Sequence, residues 1–552
     1  MGHVLTEAPT QQARTAQMYP VLSPAEIERM ARFGPVRRFS PGEVIVREGD
    51  TELGIAVVLA GRIHVAHGQA GEVAGYAHTH EAGSFMGELS QLSGRPWLAT
   101  ATATVPSEVM LIAPDRLRAL MIAEADLGER LMRALILRRV GLIESGGGGP
   151  VLIGSSGDPG IIRLQTFLTR NGHPHVHLDP DEDNCARALV DRLHLDPSEL
   201  PLVLCPGGEL LRSPDEASLS RCLGLVRPID PERIYDVAVI GAGPAGLAAS
   251  VYAGSEGLSV ITLDCRAFGG QAGASARIEN FLGFPTGISG LALMARAYNQ
   301  AQKFGVEVVI PDEAMVLECD DAPGGVQSVR LTSNEVVKAR AVIIATGARY
   351  RALALEGLAG VEATSVHYWA SPVEARLCGG QSVALIGGGN SAGQAAVYLA
   401  GRTARVTMLV RRPLAATMSS YLIERIAAQP NIEVIEGAGA TALEADGNRL
   451  TALHWRAGEA SGRLEVRHLF LFIGADPNTP WLNACGIALD DKGYVLTGAD
   501  VGADRKPLET NRSGIFAIGD VRSGSVKRLA AAAGDGAQVV ASIHRYLAQR
   551  GE

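Results

Sequence analysis

The chain has 552 residues, more than one hydrophobic core accommodates, which predicts roughly three or four folding units. It is 47% hydrophobic and 20% charged, and its net charge of −9 argues against nucleic acid or an anionic membrane as a partner. No apolar run reaches the ~18 residues of a membrane span, and the N-terminus lacks a signal-peptide pattern. The seven cysteines are widely spread without a C-x-x-C pair, which favours a reducing cytoplasm and argues against a disulfide scaffold.

Two linker-like stretches divide the chain. The sequence SGGGGP at 145–150 separates a β-rich stretch from an α/β stretch, and VRPIDPER at 226–233 precedes a further strand. We therefore expect three blocks, at 20–143, 149–226 and 233–552.

The first block alternates short strands with turn residues over 35–115 and ends in a long helix of apolar periodicity. This layout resembles the cyclic nucleotide-binding domain, most specifically at Gly87-Glu88-Leu89. In that family Glu88 would accept from the ribose 2′-hydroxyl, but Trp97 stands where an arginine would neutralise the cyclic phosphate. Losing a charge-assisted hydrogen bond of about 1.5–3 kcal/mol weakens such a site roughly ten- to a hundredfold. We expect the fold, and favour a docking or dimerising β-roll over a cyclic-nucleotide sensor.

The second block reads strand, helix, strand, helix, hairpin, helix, an order that resembles the thioredoxin fold. Pro201 stands where that family has its cis-proline, and a cis X–Pro bond is plausible there. The turn after the first strand, 155–160, carries no thiol. Cys185, Cys205 and Cys222 lie elsewhere, where a lone cysteine is most often a small core residue. A receiver-like domain is the rival fold, but its set of acidic residues is not apparent. We expect a redox-inactive adaptor.

The third block opens with a dinucleotide-binding pattern. A buried-strand run at 235–240 leads into GAGPAG and then a helix, which is G-x-G-x-x-G in the context that the motif requires. The glycines allow a tight turn, close approach of a pyrophosphate and close helix–strand packing. An acid that ends the next strand, 23 residues beyond Gly241, can accept from ribose hydroxyls. The predicted contacts are Gly241, Gly243, Pro244, Ala245, Gly246 and Asp264.

A second unit of the same kind, at 382–400, carries GGGNSA, and its strand tip bears arginines instead of an acid. An acid would repel a 2′-phosphate, whereas arginine binds it through two hydrogen bonds. This unit therefore favours NADPH over NADH, although both arginines could be solvated surface charges. The predicted contacts are Gly387, Gly389, Asn390, Ser391, Ala392, Arg411 and Arg412.

Four further segments complete the pattern of the third block: ATG at 345–347, TNRSGIFAIGD at 510–520, GGQ at 269–271, and Asn280. Together with both fingerprints they resemble bacterial thioredoxin reductase, a homodimeric flavoprotein. The resemblance implies an FAD-binding domain made of 233–353 and 480–552, with an NADPH-binding domain inserted at 354–479. It also implies FAD contacts at Gly270, Gln271, Asn280, Thr346, Gly347, Gly519, Asp520, Arg528, Leu529 and Ala530.

The family's redox motif is missing. In thioredoxin reductases a C-x-x-C ahead of the second fingerprint passes electrons from the flavin to a protein disulfide, but here Trp369 and Pro372 occupy the two cysteine positions. Neither forms a thiolate, so the dithiol relay cannot operate. Cys378 lies six residues beyond the second position and is interpreted as structural.

We expect a multidomain α/β chain that joins a β-roll with helices, a thioredoxin-like domain and a flavoprotein with two dinucleotide-binding domains. Three hypotheses about its function follow. The favoured one is an oxidoreductase that takes hydride from NADPH onto FAD and then reduces an external acceptor: a partner's disulfide, a flavodoxin or ferredoxin, a quinone or oxygen. It resembles the ferredoxin–NADP reductases that lack the dithiol, without their C-terminal extension. The alternatives are a redox- or nucleotide-sensing flavoprotein with little turnover, and a thioredoxin reductase with a non-standard thiol. We expect a cytoplasmic homodimer without a metal site.

Overall fold

The computed structural model describes residues 17–66, 77–87, 96–145, 149–193, 196, 199–206, 209–226, 228–320, 322 and 325–549. Glu88 and Leu89 lie outside these residues. The chain forms two compact units: Met1–Ser156 with Gly160–Pro228 and Asn299–Pro311, and Gly157–Pro159 with Ile229–Tyr298 and Asp312–Glu552. No helix in the described part of the chain is long and apolar enough to cross a membrane.

The first unit begins with a β-roll of two four-stranded antiparallel sheets. Their orders are β1-β8-β3-β6 and β2-β7-β4-β5, with the strands β1 Val36–Phe39, β2 Val44–Val46, β3 Ile55–Ala60, β4 Arg62–Ala66, β5 Ala77–Glu81, β6 Phe85–Met86, β7 Thr100–Ala103 and β8 Ser107–Ile112. The accompanying helices are Pro24–Met30, Pro114–Ala123 and Ala125–Ser145. Ser23 and Glu26 form a capping box that fixes the start of the first helix.

The rest of the first unit follows the predicted order of elements around a four-stranded sheet, β10-β9-β11-β12. Its strands are β9 Val151–Ile153, β10 Val176–Leu178, β11 Leu202–Leu204 and β12 Leu210–Arg212, and its helices are Pro159–Arg170, Asn184–Arg192 and Glu216–Cys222. Strands β9 and β10 are parallel, whereas β11 is antiparallel to both of its neighbours. The Leu200–Pro201 bond is cis, as the sequence suggested. The likeness to thioredoxin itself stays a prediction.

The expectation of unpaired cysteines is wrong. Disulfides join Cys205 to Cys222 and Cys319 to Cys485, across sequence separations of 17 and 166 residues. Contacts between residues so far apart in the sequence depend on the fold of the chain, and the spacing of the cysteines does not predict them. Cys205 and Cys222 are therefore a bonded pair, and cysteine usage no longer indicates a reducing compartment.

The larger unit contains a mainly parallel sheet formed by two separate stretches of the chain. An inserted domain lies between these two stretches in the sequence. The strands that follow β12 are β13 Ile234–Ile240, β14 Val260–Leu263, β15 Glu307–Val309, β16 Ala314–Glu318, β17 Gln327–Leu331, β18 Val336–Ile344 and β19 Ala348–Tyr350. In this unit the order is β14-β13-β18-β17-β16, and Ile515–Ala517, after the insertion, pairs in parallel with β18. The helices are Pro244–Ser255, Gly270–Gly273, Gly290–Lys303 and Leu529–Ala548.

The inserted domain has a five-stranded parallel sheet, β20-β27-β21-β22-β23, and a three-stranded antiparallel sheet, β24-β25-β26. Its strands are β20 Val366–His367, β21 Ser382–Ile386, β22 Arg405–Val410, β23 Ile432–Glu436, β24 Ala438–Asp446, β25 Arg449–Ala457, β26 Ala460–Leu464, β27 His468–Leu471 and β28 Ala475–Pro477. Its helices are Leu358–Ser365, Pro372–Leu377, Asn390–Ala400 and Ser420–Ala427. Strand β28 pairs with β19, so both connections to the insertion lie side by side.

Candidate functional site

The first fingerprint forms a turn that only glycine fits. Gly241 has a φ of +113°, and a side chain there would bring its Cβ to 2.3 Å from the carbonyl oxygen of Ala345. At Gly246 a Cβ would lie 1.8 Å from the carbonyl oxygen of Gly241. A Cβ at Gly243 would meet only the Cα of Gly270, at 3.9 Å, so the backbone faces open space there. Because the helix that begins at Pro244 has no side-chain cap, its first N–H groups face this space and suit a pyrophosphate.

Asp264 has a second task that the motif did not predict. It follows β14, and its carboxylate accepts hydrogen bonds from the backbone N–H of Ala242 at 2.9 Å, Arg266 at 3.0 Å and Ala267 at 3.1 Å. The carboxylate therefore holds the glycine turn against the strand end.

Asp520 fits the ribityl chain of a flavin. It is half-buried, and within the described residues its carboxylate accepts no hydrogen bond. Burial raises the pKa of Asp520, the cost of holding a charge away from water. Hydroxyl groups of a bound ligand would supply the missing donors.

The helix Leu529–Ala548 begins just beyond Asp520 in the sequence. Its N-cap, Arg528, makes no side-chain hydrogen bond to the helix, and the following residues, Leu529 and Ala530, carry no group that could cap it. Such an N-terminus presents N–H groups and a partial positive charge to an electron-rich ligand.

Other predicted FAD residues have structural contacts. Thr346 Oγ1 donates to the carbonyl oxygen of Asn478 at 2.9 Å, and Asn478 Nδ2 donates back to the carbonyl oxygen of Thr346 at 3.0 Å. The backbone N–H of Asn478 donates to the carbonyl oxygen of Gly347 at 3.1 Å. Gln271 Nε2 donates to the carbonyl oxygen of Ala348. The bonds of Asn478 hold the residues after β18 against the segment that returns from the insertion. Asn280 is exposed.

The second fingerprint repeats this geometry. Gly387 has a φ of +141°, and a Cβ there would lie 2.4 Å from the carbonyl oxygen of Phe472. A Cβ at Gly389 would meet nothing within 4 Å, and the helix after it has no side-chain cap. Asn390 Oδ1 accepts from the backbone N–H of Ser419 at 2.8 Å. The open helix N-terminus, which carries Ser391 and Ala392 in its first turn, therefore faces a second ligand space.

Arg411 and Arg412 directly follow β22, at the carboxyl edge of the parallel sheet. Both are exposed, and neither makes a hydrogen bond or an ion pair with another described residue. Two uncommitted guanidinium groups at this edge suit the 2′-phosphate of NADPH.

The segment at the dithiol position is built around a buried carboxylate. Trp369 Nε1 donates to Glu374 Oε1 at 3.0 Å, and the backbone N–H of Ser371 donates to Glu374 Oε2 at 2.9 Å. Glu374 is only 4% exposed, and Pro372 is the first residue of the helix that contains it. Cys378 is fully buried, and burial raises the pKa of its thiol to about 12. It therefore carries no thiolate near neutral pH.

A cavity of about 310 Å³ lies between the domain of the first fingerprint and the inserted domain, within the larger unit. Trp369 and Gln271 both form part of its wall. Glu279 pairs with Arg425 at 2.6 Å and with Arg277 at 3.2 Å on the cavity lining. The cavity thus combines aromatic surface with charged groups beside the position of the missing dithiol.

Two of the residues predicted for the nucleotide pocket of the β-roll, Gly87 and Trp97, have contacts in the described part of the chain. Trp97 is 4% exposed within the hydrophobic core of the roll, and its Nε1 donates to the carbonyl oxygen of Leu53 at 2.6 Å. The carbonyl oxygen of Gly87 accepts from Arg138 Nη1 at 3.0 Å. An indole in the core cannot replace the missing phosphate-binding arginine.

Two strand–glycine–helix units within the larger unit define a protein with two dinucleotide-binding domains. A family model described as pyridine nucleotide-disulphide oxidoreductase matches residues 235–536, more than half of the chain, and the chain belongs to this family. A second model, the cyclic nucleotide-binding domain, matches residues 36–124. The two matches confirm the predicted β-roll domain and the predicted pair of dinucleotide-binding domains, whereas the thioredoxin-like domain at 149–226 stays a prediction.

The curated relatives are reductases. The chain is 32% identical over 316 residues to an alkyl hydroperoxide reductase component of Escherichia coli, covering 57% of this chain and 58% of that protein. It is 34% identical over 331 residues to NADPH-dependent thioredoxin reductase 3 of Arabidopsis thaliana, with 57% and 59% covered. The thioredoxin reductase of Bacillus subtilis is 31% identical over 319 residues, with 57% and 96% covered. The chain thus spans less than two thirds of the length of the first two.

Solved structures agree. The thioredoxin reductases of Lactococcus lactis and T. acidophilum each superpose with a TM-score of 0.52, at 27% and 28% identity, over 57% of this chain and 99% of theirs. The part of the chain that these structures cover has the thioredoxin reductase fold.

Proposed function

We propose that this oxidoreductase takes hydride from NADPH and reduces an external acceptor without an internal dithiol. The observation that carries the proposal is the Trp369–Glu374 hydrogen bond at the position of the family's redox pair. The only cysteine of that segment, Cys378, is fully buried. No described thiol of this segment can therefore exchange with a disulfide.

FAD, when bound, would accept a hydride from reduced nicotinamide and pass the electrons on. In the proposal Gly243 and the helix N-terminus after it hold the pyrophosphate of FAD, and Asp264 holds its ribose. Asp520 accepts hydrogen bonds from the ribityl hydroxyls. Gly389 and its helix hold the pyrophosphate of NADPH, while Arg411 and Arg412 hold its 2′-phosphate. The remaining predicted contacts surround these groups.

In the proposal the acceptor binds in the cavity that Trp369 and Gln271 line. The names of the relatives point to alkyl hydroperoxide reduction and to thioredoxin, which are properties of those proteins. For this chain we propose a small acceptor or a redox protein with its own disulfide, flavin or iron–sulfur centre. We also propose that the chain acts as a cytoplasmic homodimer, with 20–143 as a docking β-roll and 149–226 as a thioredoxin-like adaptor.

A sensing flavoprotein with little turnover is the second candidate. It is favoured by a β-roll that matches the cyclic nucleotide-binding domain, in the same chain as an oxidoreductase domain that has Trp369 at the position of the dithiol. The candidates differ in rate, because a working enzyme turns over at roughly ten per second.

The experiment is anaerobic stopped-flow mixing of the FAD-loaded protein with NADPH, followed by steady-state turnover with an artificial acceptor. Rapid bleaching of the flavin and turnover near ten per second support the enzyme. Rapid bleaching with turnover about a thousandfold slower supports the sensor. No bleaching refutes both.

A further inference from the structure

A buried group of three potential metal ligands lies in the inserted domain. Ligand atoms of His367, Cys378 and His468 are all within 4.8 Å of one another, and His367 Nε2 is 3.0 Å from His468 Nδ1. Cys378 is fully buried and His468 is 9% exposed. Sequence patterns do not reveal the group, because 101 residues separate the two histidines.

The fold holds these ligands on rigid elements. His367 ends β20 and His468 begins β27, and these two strands pair in parallel. Cys378 directly follows the helix Pro372–Leu377. His367 and Cys378 therefore flank, in the sequence, the segment that carries Trp369 in place of the dithiol.

The tautomer of His468 suits metal binding. Its ring donates a hydrogen bond to the backbone carbonyl of Leu377, and because Nδ1 faces His367, the donor is Nε2. Histidine ligands usually donate their second nitrogen to a carbonyl or carboxylate in this way, which fixes the ring and leaves the other lone pair for the metal.

We propose that His367 Nε2, His468 Nδ1 and Cys378 Sγ bind a zinc ion. Two imidazoles and one thiolate are ligands that zinc accepts, with water or a further group in the fourth position. Tetrahedral zinc at about 2.0–2.1 Å from nitrogen and about 2.3 Å from sulfur sets ligand separations of about 3.3 Å for N···N and about 3.5 Å for N···S. The imidazoles must part by about 0.3 Å and the thiol must move closer, shifts within the reach of side-chain rotation.

The proton balance is simple. Zinc takes the place of the proton that the two imidazoles share, and that proton moves to Nδ1 of His367. The thiol of Cys378 releases its proton to solvent. Without zinc the same atoms form a hydrogen-bonded pair beside a core thiol, and the test must distinguish these two states.

Zinc content per chain is the first measurement, made by plasma mass spectrometry on the full-length FAD-loaded protein after incubation with zinc chloride and gel filtration. We expect about one zinc per chain in the parent, and less than about a tenth in Cys378→Ala and in His468→Gln, with FAD content unchanged. Cys265→Ala is the matched control, because Cys265 is a free cysteine outside the group. Glu209→Gln controls for the other potential ligand group, formed by Cys205, Glu209 and Cys222, because it leaves the Cys205–Cys222 disulfide intact.

X-ray absorption at the zinc edge of the parent protein is the second measurement, and it does not depend on the folding of a variant. A shell of two nitrogens and one sulfur is expected. Less than about a tenth of a zinc per chain in the parent, zinc retained in both Cys378→Ala and His468→Gln, or a shell without sulfur would each overturn the proposal.

Discussion

Removal of the two arginines at the tip of β22 should abolish the preference for NADPH. A hydrogen bond to a charged group contributes about 1.5–3 kcal/mol, or roughly ten- to a hundredfold in affinity for each arginine. Because Arg411 and Arg412 would share one phosphate, their effects should not add fully, and we expect about a hundredfold loss for Arg411→Ala/Arg412→Ala. Neither side chain has a described partner, so the free energy of unfolding should change by less than about 0.5 kcal/mol.

The assay is kcat/KM for NADPH and for NADH with an artificial acceptor. The double variant should lose about a hundredfold with NADPH and change less than about threefold with NADH. Arg405→Gln is the matched control, since Arg405 begins the same strand at the opposite sheet edge, where it pairs with Glu433 at 2.7 Å. An equal loss with both nucleotides, or no preference in the parent, would refute the assignment of these arginines to a 2′-phosphate.

Three further predictions concern single residues. Burial raises the pKa of Asp520, so the folded protein binds the proton of this carboxyl group more tightly than the unfolded chain does. The free energy of unfolding therefore falls as pH rises from the pKa of the unfolded state through the pKa of the folded state. Asp520→Asn should therefore raise the melting temperature of the FAD-free protein at pH 7 while it lowers the FAD retained on gel filtration; a lower melting temperature would contradict this. Cys205→Ser should lower the free energy of unfolding of the first unit in urea by about 3 kcal/mol, because the Cys205–Cys222 disulfide closes a loop with a separation of 17 residues. The control variant Cys265→Ser should change this free energy little. An equal loss in both variants would show that the disulfide is not the cause. Trp97→Ala should lower the free energy of unfolding of the β-roll by about 3–5 kcal/mol. Calorimetric titration of the parent protein with cyclic AMP should give no saturable heat. Micromolar binding would instead show that the roll still holds a nucleotide.

The parts of the site that sequence predicted are those that a short segment encodes. Gly241 and Gly387 each lie between a strand and a helix that adjoin them in the chain, and steric exclusion of a Cβ requires glycine at both. The loss of the dithiol is likewise visible in the identities of Trp369 and Pro372 alone.

The parts that sequence missed are pairings across the fold. Asn478 returns from the insertion to bond Thr346, 132 residues earlier. Cys319 and Cys485 meet only because the chain returns to the domain of the first fingerprint after the insertion. His367 and His468 become neighbours through the pairing of β20 with β27. No local pattern encodes such contacts, since they depend on which strands pair.

The most direct test of a dithiol-free enzyme is the number of electrons that the FAD-loaded protein takes from NADPH without oxygen. Flavin alone accepts about two electrons, and a flavin with a working dithiol accepts about four. We predict about two per FAD in the parent, and Trp369→Cys/Pro372→Cys serves as the reference in which a dithiol is restored. Uptake of about four electrons by the parent within a single rapid phase would show a working thiol relay and contradict the proposed route of the electrons.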